Sequence, residues 1–409
     1  MLTISLDMLQ TAALAMLLFL LGRFTVSHVE FFQRCCIPAP VIGGLIFAIL
    51  HLITYQTGIL TFTFDETLKT AFMDFFFTSV GFGASIKLLK KGAWPVIFFL
   101  ILATILVICQ NLVGVGLSGV FGLDGRLGLC MSSIPLVGGH GTSASFGPLF
   151  ESMGVEGATT VAVACATYGL VSGSLMGGPL GRWKIKKYGL KPLTSEVEQN
   201  ANLGEPETVY QTKAEMLNSE TFLTAFVFII IATGLGTYVT NAFASINIVL
   251  PVYIGGMLVA LIIRNIADLM GKELPLKAID VAGNTSLNIF LGIALMTLML
   301  WQLAALALPI VVILAVQTLL MYLYASFVVF PAMGKDYEAA VMTAAICGFG
   351  MGATPNAMAN MQAVTKQYGP APQAYFIVPL VGSLFIDFCN GLIITGFMNV
   401  LPWVQSLLP

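Results

Sequence analysis

The sequence predicts an all-α integral membrane protein, built as two inverted repeats of about five transmembrane helices with one re-entrant hairpin in each. Of its 409 residues 57% are apolar and only 9% are charged, against about 25% charged in an ordinary soluble domain. Mean hydropathy is +0.92, and the apolar residues gather into blocks close to the ~20 residues a helix needs to cross the hydrocarbon. The strand alternation of a membrane barrel is absent. Two further blocks, about 128–150 and 340–362, are less apolar and carry runs of glycine.

The first block, 6–26, has neither a basic leader region nor a small-residue cleavage site, so it is expected to be a span. Blocks 38–54, 70–86, 94–120 and 157–180 complete the first half, and 221–243, 249–263, 279–299, 304–330 and 373–399 make up the second. With the N-terminus outside, ten crossings place sixteen of the eighteen Lys and Arg inside and leave only Lys69 and Arg126 outside. Both termini then lie outside and the central loop is cytoplasmic. The stretch 190–220 holds Glu196, Glu198, Glu205, Glu207, Glu215 and Glu220 among few apolar residues. It is expected to be a cytoplasmic linker between an N-terminal repeat, 1–189, and a C-terminal repeat, 221–409.

Composition excludes several classes. The net charge is -2, and no basic patch suits nucleic acid. Cys35, Cys36, Cys109, Cys130, Cys165, Cys347 and Cys389 are odd in number and lack C-x-x-C spacing, so they are expected to pack as small core residues rather than bind a metal. No phosphate-binding loop is present, which argues against direct ATP coupling.

The halves resemble one another. Val41-Ile42-Gly43-Gly44 pairs with Tyr253-Ile254-Gly255-Gly256, and Gly141-Thr142 pairs with Ala353-Thr354 at the same offset. An odd number of spans per half inverts the second half relative to the first, so the two glycine breaks enter from opposite faces and meet near the midplane. A break in a membrane helix frees N–H and C=O groups, each costing several kcal/mol, roughly, unless it is buried in protein or lines a polar cavity. A paired break at matching places in two halves points to a transporter's binding site.

Gly138-Gly139-His140-Gly141-Thr142 and Cys347-Gly348-Phe349-Gly350-Met351-Gly352-Ala353-Thr354-Pro355 resemble the signatures of the bacterial glutamate:sodium symporter family. Ile37 to Gly44, Ala164 to Val171, Ala359 to Ala363 and Val378 to Gly382 are similar too, so the resemblance covers nearly the whole chain. It implies an inner-membrane homodimer that takes up L-glutamate with sodium by moving a transport domain against a scaffold. Family members often carry hydroxyl residues just before the first glycine pair, where this chain has Pro135 and Val137. No cofactor is expected, and the only metal is sodium, the coupling ion.

No Lys or Arg falls deep in a span, so an anionic substrate must be met by backbone N–H groups, helix N-termini and bound cations. The candidate substrate-binding residues are Gly138, Gly139, His140, Gly141, Thr142, Ser143, Gly350, Gly352, Thr354 and Asn356. Glycine permits close backbone approach, though it serves helix packing equally. His140 donates to substrate, acts as a proton-sensitive gate, or simply caps its loop. Asn356 and Asn360, four apart, are candidates to face the cavity. For the ion, Asp387, Asn390, Gln110, Asn111, Gln317 and Asn284 place oxygen atoms inside apolar spans. Asp74, Asp280 and Asn288 serve either the cavity or helix contacts. Rival readings are a sodium- or proton-coupled carrier of another small carboxylate, an ion channel, and an intramembrane enzyme using Asp74 with Asp387. Membrane lipid and a second copy of the chain are the expected macromolecular surroundings.

Overall fold

The computed structural model describes residues 2–35, 37–87, 93–192, 218–245, 251–301 and 306–407. The expected linker therefore lies outside the described residues except at its two ends, as do Cys36, Lys90 and Lys91. The main helices of the first half are α1 (Met8–His28), α2 (Ala39–Gln56), α3 (Thr67–Gly83), α4 (Ala93–Val120), α5 (Gly139–Ser152) and α6 (Ala158–Tyr188). Those of the second are α7 (Ser219–Ala244), α8 (Val252–Leu269), α9 (Leu276–Met296), α10 (Ala307–Tyr324), α11 (Tyr337–Phe349), α12 (Thr354–Tyr368), α13 (Pro372–Leu380) and α14 (Ile386–Leu407). One short parallel pair of strands, β1 (Leu2–Leu6) and β2 (Leu60–Phe64), joins Leu2 to Leu60 through Leu6 to Phe64. No strand is expected there from the sequence. Leu-Thr-Phe-Thr-Phe suits a pleated ladder, but a five-residue run beside a long apolar helix is masked by its neighbour.

Local chemistry sets the ends of the helices. Asp7 caps α1 through a reciprocal pair with Gln10, and Asn218 does the same for α7 with Thr221. Gly157 and Gly189, at φ 74° and 62°, bracket α6 in the left-handed conformation that favours glycine.

Among the described residues, seven helices are long and apolar enough to cross a membrane, and α13 with α14, bent by 40°, makes an eighth if the pair is one span. The other two expected spans are helical as well. They are α3, with 17 residues, and α8, with 18. Two spans contain π turns, Ala325–Val329 after α10 and Val381–Phe385 after α13. Each lies beside a proline, Pro331 and Pro379, whose missing N–H breaks the regular ladder.

The span expected to end at 180 continues to Tyr188. Lys184, expected in the cytoplasmic middle loop, is consequently buried. Its Nζ donates 2.9 Å to Ser326 O in the first π turn, and the ammonium lies 4.7 Å from the Phe330 ring and 4.9 Å from that of Trp183. A carbonyl loosened by the π turn thus receives a cation that aromatic faces surround.

The helices form two groups. In one, α1 packs on α2, α7 on α8, α2 on α9, and α3 on both α8 and α9. In the other, α6 packs on α5, α11 and α12, while α4 packs on α10 and α14. The first group is assembled by glycine. Gly22 and Gly43 bring α1 against the backbone of α2, and Gly236 with Gly255 brings α7 against α8, so that a Cβ at any of the four would strike main-chain atoms.

Gly43→Leu is therefore expected to overpack this crossing at a cost of about 1–3 kcal/mol or more. The readout is a lower thermal unfolding midpoint of purified protein. Gly116→Leu, where a Cβ meets nothing within 4 Å, is the matched control and should leave the midpoint in place.

Candidate functional site

The two glycine runs are helix breaks, and they meet. The first interrupts the chain between Ser133–Leu136 and α5, and the second separates α11 from α12. Gly139 has φ 60°, and a Cβ added there would lie 3.2 Å from Gly352 O. The second break is closed internally by Gly350 N to Ile346 O at 2.8 Å and Ala353 N to Gly348 O at 3.1 Å. Pro355 in the first turn of α12 costs no helical bond there.

Beside this junction is a cavity of ≈ 200 Å³ between the two helix groups. The first group contributes Phe76, Ser79, Val80, Phe82 and Gly83 from α3 and Leu276, Ile279, Asp280 and Asn284 from α9. The second contributes Thr354 at the start of α12, Ser383 from the π turn, and Asp387 from α14. The lining therefore holds two carboxylates, three hydroxyls and an amide, and no Lys or Arg among the described residues. The positive end of the α12 dipole sits at Thr354, whose Oγ1 donates 2.6 Å to Gly382 O and ties the break to the π turn.

Of the residues singled out for substrate, only Thr354 lines the cavity. Gly141 approaches its wall, since a Cβ there would lie 3.4 Å from the Phe76 ring. His140 is buried, with Nε2 3.0 Å from Thr167 Oγ1 on α6. Ser143 donates to Gly139 O at 2.7 Å, and Thr142 packs over Gly138. Asn356 donates to Leu170 O and Ser174 Oγ, both at 2.8 Å, and Asn360 to Gly173 O at 2.9 Å. Both asparagines thus brace α12 against α6. Gly350 and Gly352 are buried in the second break.

The ion candidates divide. Asp387 and Asn284 line the cavity. Gln110, Asn111, Gln317 and Asn390 are fully buried in a separate network with Ser132 and Ser133. Gln110 Nε2 donates 2.8 Å to Gly350 O, and Gln317 Nε2 donates to Gln110 O at 2.8 Å and Ser132 Oγ at 3.2 Å. Ser133 N donates to Asn111 Oδ1, and Asn390 Nδ2 to Ser133 O, each at 3.2 Å. Gln110 Oε1, Gln317 Oε1, Asn390 Oδ1, Ser133 Oγ and Asn111 Nδ2 have no partner. A buried polar atom left so costs about 1–3 kcal/mol. Among the described residues, no three or more His, Cys, Asp or Glu stand together as a metal site.

Sequence reasoning passed over Ser79, Ser383, Ser132 and Ser133. Their only signal is a hydroxyl inside an apolar block, which backbone bonding of the kind Ser79 Oγ makes to Phe76 O, at 2.7 Å, also explains. Asp74 is buried on α3, and the Tyr253 ring stacks on Phe77 at 4.3 Å and meets Phe146 edge-on at 5.9 Å.

Gly139→Ala forces a side chain into the left-handed region at a cost of roughly 1–2 kcal/mol and crowds Gly352 O. It is expected to depress transport severalfold at unchanged membrane abundance, measured as uptake per amount of protein in sealed vesicles.

The profile of the sodium/glutamate symporter family matches residues 4–370. A sodium/glutamate symporter of Haemophilus influenzae is 40% identical over 386 residues, 93% of this chain and 95% of its own length. One from Escherichia coli is 41% identical over 397 residues, 96% of this chain and 98% of its own. Among solved structures, a sodium proton antiporter from Methanocaldococcus jannaschii aligns over 97% of this chain and 98% of its own, at 14% identity and a TM-score of 0.43.

Proposed function

The chain belongs to the sodium/glutamate symporter family, and from that premise we propose that it is a secondary transporter that takes up L-glutamate together with sodium, binding the substrate in the cavity between the two helix groups. The observation that carries the reading is the charge of that cavity: Asp280 and Asp387 face it, and no cationic side chain does among the described residues. Two like charges about 5 Å apart repel by roughly 3 kcal/mol at an effective dielectric near 20. Glutamate carries two carboxylates of its own. It is therefore admitted only in company with cations, which is the electrostatic basis of obligatory coupling. The α12 N-terminus at Thr354 receives a substrate carboxylate, and Asp387 faces the α-ammonium.

The two groups act as scaffold and transport domain. The group of α1–α3 and α7–α9 stays fixed, while the group holding both breaks moves as a body and carries its half of the cavity with it. The matching crossings Gly22–Gly43 and Gly236–Gly255 support two inverted repeats. The cavity lies toward the end of α3 and the start of α9, with Lys87 just after α3, Lys272 just before α9 and Lys277 in its first turn. By the positive-inside rule this conformation opens to the cytoplasm. The Phe77–Tyr253–Phe146 contact closes the other side. The protein works in the bacterial inner membrane as a homodimer and performs no covalent chemistry.

The reading is tested in proteoliposomes of the purified protein. An inward sodium gradient is expected to drive concentrative uptake of labelled glutamate, and equal potassium is not. Uptake driven by a proton gradient alone would reject sodium coupling, and stronger competition by hydroxycarboxylates than by unlabelled glutamate would reassign the cargo. Asp387→Asn is expected to raise the glutamate KM about tenfold or more, the loss of a charge-assisted contact of ~1.5–3 kcal/mol. A larger change in half-saturating sodium than in KM would instead make Asp387 an ion ligand.

A further inference from the structure

We propose that a sodium ion binds, with no carboxylate ligand, in the buried network where α4, α10 and α14 meet Ser133 ahead of the first break, taking the side-chain oxygens of Gln110, Gln317, Asn390 and Ser133. The inference rests on the transport reading above and deepens it by giving the coupling ion a place apart from the substrate cavity. All four residues are 0% exposed. The three amides spend their N–H groups on Gly350 O, Gln110 O, Ser132 Oγ and Ser133 O, and each leaves its carbonyl oxygen without a partner. Ser133 Oγ is unpartnered in the same network, and its own O–H and Asn111 Nδ2 are the two orphaned donor groups there. Orphaned oxygens thus outnumber orphaned donors. A hard cation is satisfied by several neutral oxygens at once, as amide and carbonyl ligands serve calcium. A single water brings only two protons.

The chemistry of the donors also fixes the ion. Neutral amide and hydroxyl oxygens take up no additional proton near neutrality, so the site takes an alkali cation and not a proton. The ion also reaches the substrate. Gln110, one of its ligands, holds Gly350 O, and Gly350 begins the break that ends at Thr354 on the cavity wall. Sodium fixes the ligands that hold this break, and the break presents the α12 N-terminus to glutamate.

The test measures two quantities in purified protein: half-saturating sodium for glutamate uptake, and thermal stabilisation by sodium over choline without glutamate. Gln317→Leu is expected to raise half-saturating sodium about tenfold or more and to abolish the sodium-specific stabilisation. Gln317→Glu, which keeps an oxygen in place, should retain both. If Gln317→Leu does not fold, Ser133→Ala serves, with the same rise expected. A folded variant with unchanged half-saturating sodium overturns the site. Equal stabilisation of the wild type by sodium and choline also overturns it, leaving a bound water only. Failure of wild-type glutamate uptake would reject the transport reading, whereas the stabilisation measurement would still decide the sodium site.

Discussion

Everything here depends on satisfying backbone groups where helices are broken inside a low-dielectric interior. A continuous span meets its own needs. This chain interrupts its helices at Leu136–Gly139 and Gly350–Ala353 and loosens them at two π turns. Other helices supply the missing partners. Gln110 donates to Gly350 O, Asn390 to Ser133 O, Lys184 to Ser326 O and Thr354 to Gly382 O. Each bond crosses from one element to another. The breaks therefore hold the second helix group together even though they interrupt its helices.

The same bonds explain the division of labour among polar residues. Those that brace the breaks, such as Asn356, Asn360 and His140, face protein: the two asparagines spend their N–H groups on α6, although Asn356 Oδ1 has no partner, and His140 meets Thr167. Those that line the cavity, Asp280, Asn284 and Asp387, lie where the two groups separate. A group that moves as a body must keep its internal bonds and give up only contacts across the cavity. The observed pattern has that property, since no hydrogen bond of the amide network reaches α3 or α9.

Hydropathy alone made the spans legible, because crossing a membrane is a property of single segments. The breaks were legible from glycine, and the closeness of Gly139 to Gly352 O comes from the structure. What stayed hidden depends on neighbours distant in sequence. Asp387 and Asn390 sit three residues apart, a spacing that joins them on one helical face. Yet consecutive residues turn by about 100°, so an i,i+3 pair still diverges by about 60°. That angle is enough for Asp387 to line the cavity while Asn390 bonds Ser133 on the inner side. The π turn that ends at Phe385 resets the rotation of this helix, and no sequence pattern announced it beyond Pro379. The glycines around His140 point it toward a substrate site. Its partner Thr167 lies 27 residues on in another helix, beyond the reach of a local pattern.

Gln110 and Gln317 show how far sequence can carry a site and where tertiary structure must take over. Each is conspicuous as an amide in an otherwise apolar span, and their similar places in the two halves pair them. Sequence could not say that Gln317 bonds the main chain at Gln110 itself. That bond joins α4 to α10 at one point and makes one network from two halves, with oxygens from both left unpaired on it. A protein that needed only stability would satisfy those oxygens or replace them with methylenes, because a half-paired polar network is less stable than an apolar core. Retaining them is costly unless something fills them during the working cycle. For a chain of this family, the species that comes and goes in that cycle is the cation that accompanies the substrate.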